Sequence, residues 1–149
     1  MSGDTVRILE KLIATCRDTE TGYRDAAALM QTTELKKFFL QQAQERSRFA
    51  GELESICFRM GDDKPNRGLS LSRRLHRAWI DLREEMGGGD RYILASLASG
   101  EGSAHKEFQA ALRVALPLHV RVVLERQALS VAAACNRMRN MRGSHERAA

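Results

Sequence analysis

The sequence predicts an all-α fold, a four-helix bundle. Three observations carry that prediction. The composition is helical: 29% charged residues, only 5% aromatics and two prolines in 149 residues, and proline punctuates helices. Four long stretches carry apolar seams with alternating steps of three and four residues, the spacing of one helix face packed in a bundle. Each seam has a polar residue near its midpoint: Glu20, Arg46 (next to Glu45), Glu101 and Gln127. Antiparallel helices of similar length bring their midpoints together, so the pattern predicts a polar layer at mid-height.

The first seam runs Leu9, Ile13, Cys16, Glu20, Tyr23, Ala27, Met30. Asp4 or Thr5 can cap this helix, because a short side-chain oxygen satisfies free N–H groups of the first turn. Gln31-Thr32-Thr33-Glu34 is a tight connection, which forces an antiparallel hairpin. The second helix is expected from about Thr33 to Met60, with seam Leu35, Phe39, Gln42, Arg46, Phe49, Leu53, Ile56, Met60, and Gly61 ends it. Residues 62–68 read as a loop. Ser70 or Ser72 starts a short helix ending near Met86, with apolar face Leu71, Leu75, Ala78, Trp79 and Leu82, and Gly87-Gly88-Gly89 stops it.

Asp90 is the expected cap of the next long helix, Arg91 to about Ala115, with seam Leu94, Leu97, Glu101, Ala104, Phe108, Ala111, Ala115. Pro117 suits the first turn of a helix. The last helix then runs to about Met141 through Val120, Leu124, Gln127, Val131, Ala134 and Met138. Residues 1–142 are one bundle domain on this reading, and 143–149 a disordered tail. Two hairpins joined by a crossover of about 30 residues make the ferritin-like version of the bundle.

Ferritin-like carboxylate proteins hold two metals in the bundle core, with a glutamate from each of two helices and a Glu-x-x-His pair from each of the others. Here Glu20, Glu45 and Glu101 stand at suitable heights, and His105 follows Glu101 by one turn. These four are the candidate ligands for iron or manganese. The i+3 partner of Glu45 is Arg48, however, and Gln127 with Ser130 stands where the second Glu-x-x-His pair would be. The competing reading is a polar layer of Glu20, Tyr23, Gln42, Arg46 and Gln127 with no cofactor. Such a network fixes helix register while adding little stability. No nucleotide-binding glycine pattern or nucleophile elbow is present, and no catalytic residue is assigned.

Net charge is +5, and the end of the chain is rich in arginine: Arg121, Arg126, Arg137, Arg139, Arg142 and Arg147. Nucleic acid is therefore one candidate partner, against a solvated helix face with cations near its C-terminus. Cys16, Cys57 and Cys135 are widely spaced in apolar stretches and read as buried thiols. No apolar run is long enough to span a membrane. Met1-Ser2-Gly3-Asp4-Thr5 lacks the pattern of a secretory signal, so the expected location is cytoplasmic.

The chain resembles an uncharacterised bacterial family of ferritin-like four-helix-bundle proteins. The resemblance rests on Leu9-x-x-Leu12-Ile13-x-x-Cys16-Arg17-Asp18-x-Glu20-x-Gly22-Tyr23, Leu35-Lys36 and Glu45-Arg46-x-x-Phe49-Ala50-x-Glu52-Leu53. It continues through Leu75-His76-Arg77-x-Trp79-Ile80-x-Leu82, Ile93-Leu94, Gly100-Glu101 and Leu124-x-x-Gln127, over about residues 5 to 142. It implies a ferritin-like fold in a cytoplasmic, stress-associated bacterial protein of unassigned activity. This sequence departs from the family pattern at Ala98, Phe108 and Cys135, where an acid, a tyrosine and a histidine are usual. Each change removes a polar group that could ligate or hydrogen-bond. The expectation is a non-enzymatic structural or binding protein that forms a homo-oligomer, a dimer, through an exposed apolar stripe such as the face with Trp79.

Overall fold

In the computed structural model, backbone is described for residues 2–62 and 89–148 and side chains for 3–62 and 89–143. Within them the chain forms four long α-helices: α1 (Ser2–Leu29), α2 (Thr33–Arg59), α3 (Asp90–Leu112) and α4 (Leu118–Ala148). No strand occurs among the described residues. The expected short helix with His76 and Trp79 lies outside them.

The connections explain the helix ends. Only Met30, Gln31 and Thr32 separate α1 from α2, so the two helices fold back as a hairpin and pack along their length. At the far end of α2, Gly61 takes φ +92°, the left-handed conformation that glycine adopts without steric cost. The Gly61 N–H then donates to the Phe58 carbonyl (3.1 Å) and the Asp62 N–H to the Cys57 carbonyl (2.9 Å). This pair is the Schellman closure expected of Gly61. In the second hairpin, residues 113–117 join α3 to α4. The Pro117 carbonyl accepts from the N–H groups of Val120 and Arg121, both at 3.0 Å. The Arg121 guanidinium reaches back to the Leu112 and Val114 carbonyls at 2.9 and 2.7 Å, closing the end of α3.

Four helix ends differ from expectation. The third helix stops at Leu112, short of Ala115, which is exposed; Pro117 close behind disfavours a continued helix. Asp4 lies inside the first turn of α1, which starts at Ser2; an acid in the first turn still complements the helix dipole. Asp90 opens α3 but does not cap it, since Gly89 holds the N-cap position. Its carboxylate accepts from the Gln31 N–H (3.0 Å), the Thr32 N–H (2.9 Å) and the Thr32 hydroxyl (2.6 Å), so it ties the start of α3 to the α1–α2 turn. Finally, α4 does not end near Met141 but continues through Gly143 to Ala148. One glycine costs a helix only about 1 kcal/mol against alanine, and no proline follows it.

These ties fix the directions of the helices. Asp90 lies beside the α1–α2 turn, and Thr15 of α1 donates to Glu107 of α3, so α3 runs antiparallel to α1. Arg126 of α4 pairs with Glu52 of α2, and the Arg137 guanidinium sits 4.8 Å over the Phe38 ring, so α4 runs antiparallel to α2. The end of the bundle at Thr32 and Asp90 is called the upper end below.

The core is split in two. The lower cluster joins residues such as Leu9, Ile13, Leu53, Phe108 and Leu124. The upper cluster joins Tyr23, Phe39, Ala43, Leu94, Leu97 and Met138. Glu20, Arg46 and Glu101 lie at the boundary between them, while Gln127 sits within the lower cluster, between Leu124 and Val131.

Candidate polar site at mid-bundle

At that boundary lies a buried ion pair. Arg46 projects from α2 and Glu101 from α3, each 1% exposed, and the Arg46 Nη2 donates to Glu101 Oε1. Both residues hold core positions of their seams, so the periodicity that buries Phe39 and Leu94 buries these charges too. The Arg46 guanidinium also lies 5.8 Å from the Tyr23 ring centre and 5.7 Å from that of Phe49. Aromatic faces attract a desolvated cation and replace part of its lost hydration.

Hydrogen bonding in the pair is incomplete. Arg46 Nε and Nη1 and Glu101 Oε2 have no hydrogen-bond partner. The Tyr23 hydroxyl lies near enough to Glu101 to favour its charged form without satisfying Oε2, and it reaches the Met138 sulfur at 4.0 Å instead. Burial nevertheless dominates Glu101: it raises the carboxyl to about 7, against the downward pull of Arg46. Burial also pushes the Cys16 thiol up to about 12, opposed in part by Arg46, and lifts the Tyr23 hydroxyl well above its ordinary value.

Glu20 belongs to a different group at the edge of the layer. Arg17 donates to Glu20 Oε1 (3.0 Å), and Arg24 pairs with Oε2. Arg17 goes on to Glu54 Oε1 (2.9 Å) and Ser47 Oγ (3.4 Å), linking α1 to α2. Gln127 lies nearer the lower cluster, where its Nε2 donates to the Phe49 carbonyl and to Glu52 Oε1, both at 3.4 Å. Gln42 is half-buried, with its Oε1 buried and without a partner. Glu45 is half-buried close enough to Glu101 to disfavour its charge. His105 is half-buried one turn below Glu101.

The structure thus brings Arg46, Glu101 and Tyr23 together and leaves Glu20 and Gln127 in separate hydrogen-bonded groups. Arg17 and Arg24 were not singled out from the sequence, although their spacing of three and four residues from Glu20 marks them as neighbours on α1. Among the described residues, no three His, Cys, Asp or Glu side chains are grouped to hold a metal ion. Glu20 has both oxygens committed to arginines, and the guanidinium of Arg46 supplies the charge that a cation would bring to Glu101. These residues do not fit a di-metal centre.

Residues 4–114 match the family model described as a domain of unknown function (DUF2383). The chain belongs to this family. The match takes in α1, α2 and α3, and with them Glu20, Arg46 and Glu101. No curated protein matches the chain significantly. Among the described residues no helix is long and apolar enough to cross a membrane.

Proposed function

We propose that this family member is a non-enzymatic ferritin-like bundle, whose buried charged layer holds helix register and whose biological action lies on its surface. One observation carries the reading: Arg46 fills the centre of the layer and holds Glu101. The connectivity supports the ferritin-like part. Asp62 follows the lower end of α2, while Asp90 is tied to the upper end of the bundle. The chain therefore leaves the described helices at one end and re-enters them at the other, a height of α2 apart, which is about 40 Å for its 27 residues. In this reading residues 1–142 act as one domain in the cytoplasm of a stressed bacterial cell, as the family resemblance implies.

The test is metal content, by mass spectrometry, after anaerobic Fe(II) or Mn(II) loading of untagged protein. Metal far below stoichiometry supports the register role. About two equivalents, lost in Glu101→Ala, would overturn it in favour of a di-metal carboxylate protein using Glu20, Glu45, Glu101 and His105.

A second reading is favoured by charge distribution. Lys36, Lys37, Arg91, Arg137, Arg139 and Arg142 gather near the upper end, against Asp25, Glu34 and Asp90. An excess of cations at one pole suits a polyanion such as nucleic acid. Retention on DNA that falls steeply with salt supports it, because phosphate contacts release counterions. Elution at low salt counts against it.

A further inference from the structure

The first half of the outer face of α4 carries apolar side chains where a solvated helix would be polar. Its inward face is Val120, Leu124, Val131, Ala134 and Met138, all buried. On the opposite side lie Leu118, Val122 and Leu129, exposed by 75%, 55% and 73%. Steps of four and seven residues put the three in line on one helix face. They extend over about 16 Å of helix. Other exposed large apolar side chains, such as Leu40 and Phe58, sit on α2, and isolated exposed residues of this kind are ordinary.

We infer that two copies of the chain pair through this face of α4, antiparallel about a two-fold axis level with residues 123–124. A two-fold interface must be self-complementary, and this register satisfies that demand twice over. Leu118 of each copy lies opposite Leu129 of the other, with Val122 beside the axis. Glu125, more than half exposed, and Arg121, about a third exposed, lie 3.9 Å apart within one chain. In the antiparallel pair each comes level with its opposite charge in the second copy, on the same flank of the apolar line. The face thus supplies an apolar centre and a charged rim, the usual anatomy of an interface. One helix face is a small contact, below about 1,200 Å² in total, so the dimer dissociates in the micromolar range.

Sedimentation equilibrium on the full chain, from about 1 to about 200 µM, tests this. The wild type is expected to move from monomer to dimer mass across that range. Leu129→Glu and Val122→Glu are expected to remain monomeric, with unchanged circular dichroism because both positions are exposed. The double variant Leu118→Cys with Leu129→Cys is expected to form a disulfide-linked dimer on a non-reducing gel. Within one chain these positions are about 16 Å apart, too far to bridge, and the native cysteines are buried. A monomeric wild type at the highest concentration would overturn the inference. So would a Leu129→Glu protein that still dimerises, since pairing would then use another face, such as that of the segment with Trp79.

Discussion

Removing either member of the Arg46–Glu101 pair is expected to have unequal consequences, and removing both is expected to cost almost nothing. Glu101→Leu leaves a guanidinium at 1% exposure without its counter-charge. Arginine cannot shed its proton, so the penalty is the full one for breaking a buried pair, about 3–5 kcal/mol. Arg46→Met leaves a carboxyl that burial already raises to about 7. Without the guanidinium it rises further and is neutral at pH 7, so what remains is a buried polar group, costing about 1–3 kcal/mol. The double variant Arg46→Met with Glu101→Leu replaces both by apolar groups of similar volume. Substitutions of that kind range from neutral to stabilising by about 1–4 kcal/mol. Urea denaturation of the four proteins at pH 7 gives the cycle directly. If the double variant loses the sum of the single losses, or if Arg46→Met is the worse of the two, the account of the layer is wrong.

Other outcomes follow from the same geometry. Because Glu101 is raised from 4.5 to about 7 in the folded state, the folded protein binds its proton more tightly than the unfolded chain. The stability this residue contributes is therefore complete below pH 4.5 and is lost as pH rises to about 7, a change of about 3 kcal/mol. Stability measured from pH 4 to pH 8 should show this component in the wild type and lose it in Glu101→Gln; equal slopes in the two proteins would refute the assignment. The thiols of Cys16 and Cys57 are pushed to about 12 and about 11 by burial, and Cys135 is buried as well. Since only thiolates react, a thiol reagent at pH 7 should modify none of the three in native protein and all three in urea. Rapid labelling of the native state would contradict the burial.

Much of the fold was legible because helix periodicity is a local signal. The seams of α1 and α2 bury as read, from Leu9 to Met30 and, apart from the half-buried Gln42, from Leu35 to Ile56, and Gly61 ends α2 because only its backbone turns left-handed there. What local pattern could not give was the partner of each polar seam residue. Glu20, Arg46, Glu101 and Gln127 all read as one layer. Yet Glu20 is held by Arg17 and Arg24 of its own helix, and Gln127 reaches the Phe49 backbone instead of Arg46. Axial offsets of a few ångströms between helices decide such pairings, and these offsets are set by packing. Asp90 shows the same limit: its position before a helix predicts a cap, while its use in joining α3 to the α1–α2 turn depends on which ends meet. The end of α4 misled for the opposite reason, since Gly143 is a weak stop without a proline behind it.

The central claim is that the charged layer sets helix register and contributes little to stability. The amide spectrum of the Arg46→Met, Glu101→Leu double variant, recorded by heteronuclear NMR, tests it most directly. With the layer gone, two apolar clusters merge into one seam that can slide. The account predicts doubled or exchange-broadened resonances for core residues such as Phe39, Leu94 and Leu124, in a protein as stable as the wild type. A single sharp set of resonances, matching the wild type everywhere except beside the two substitutions, would contradict it.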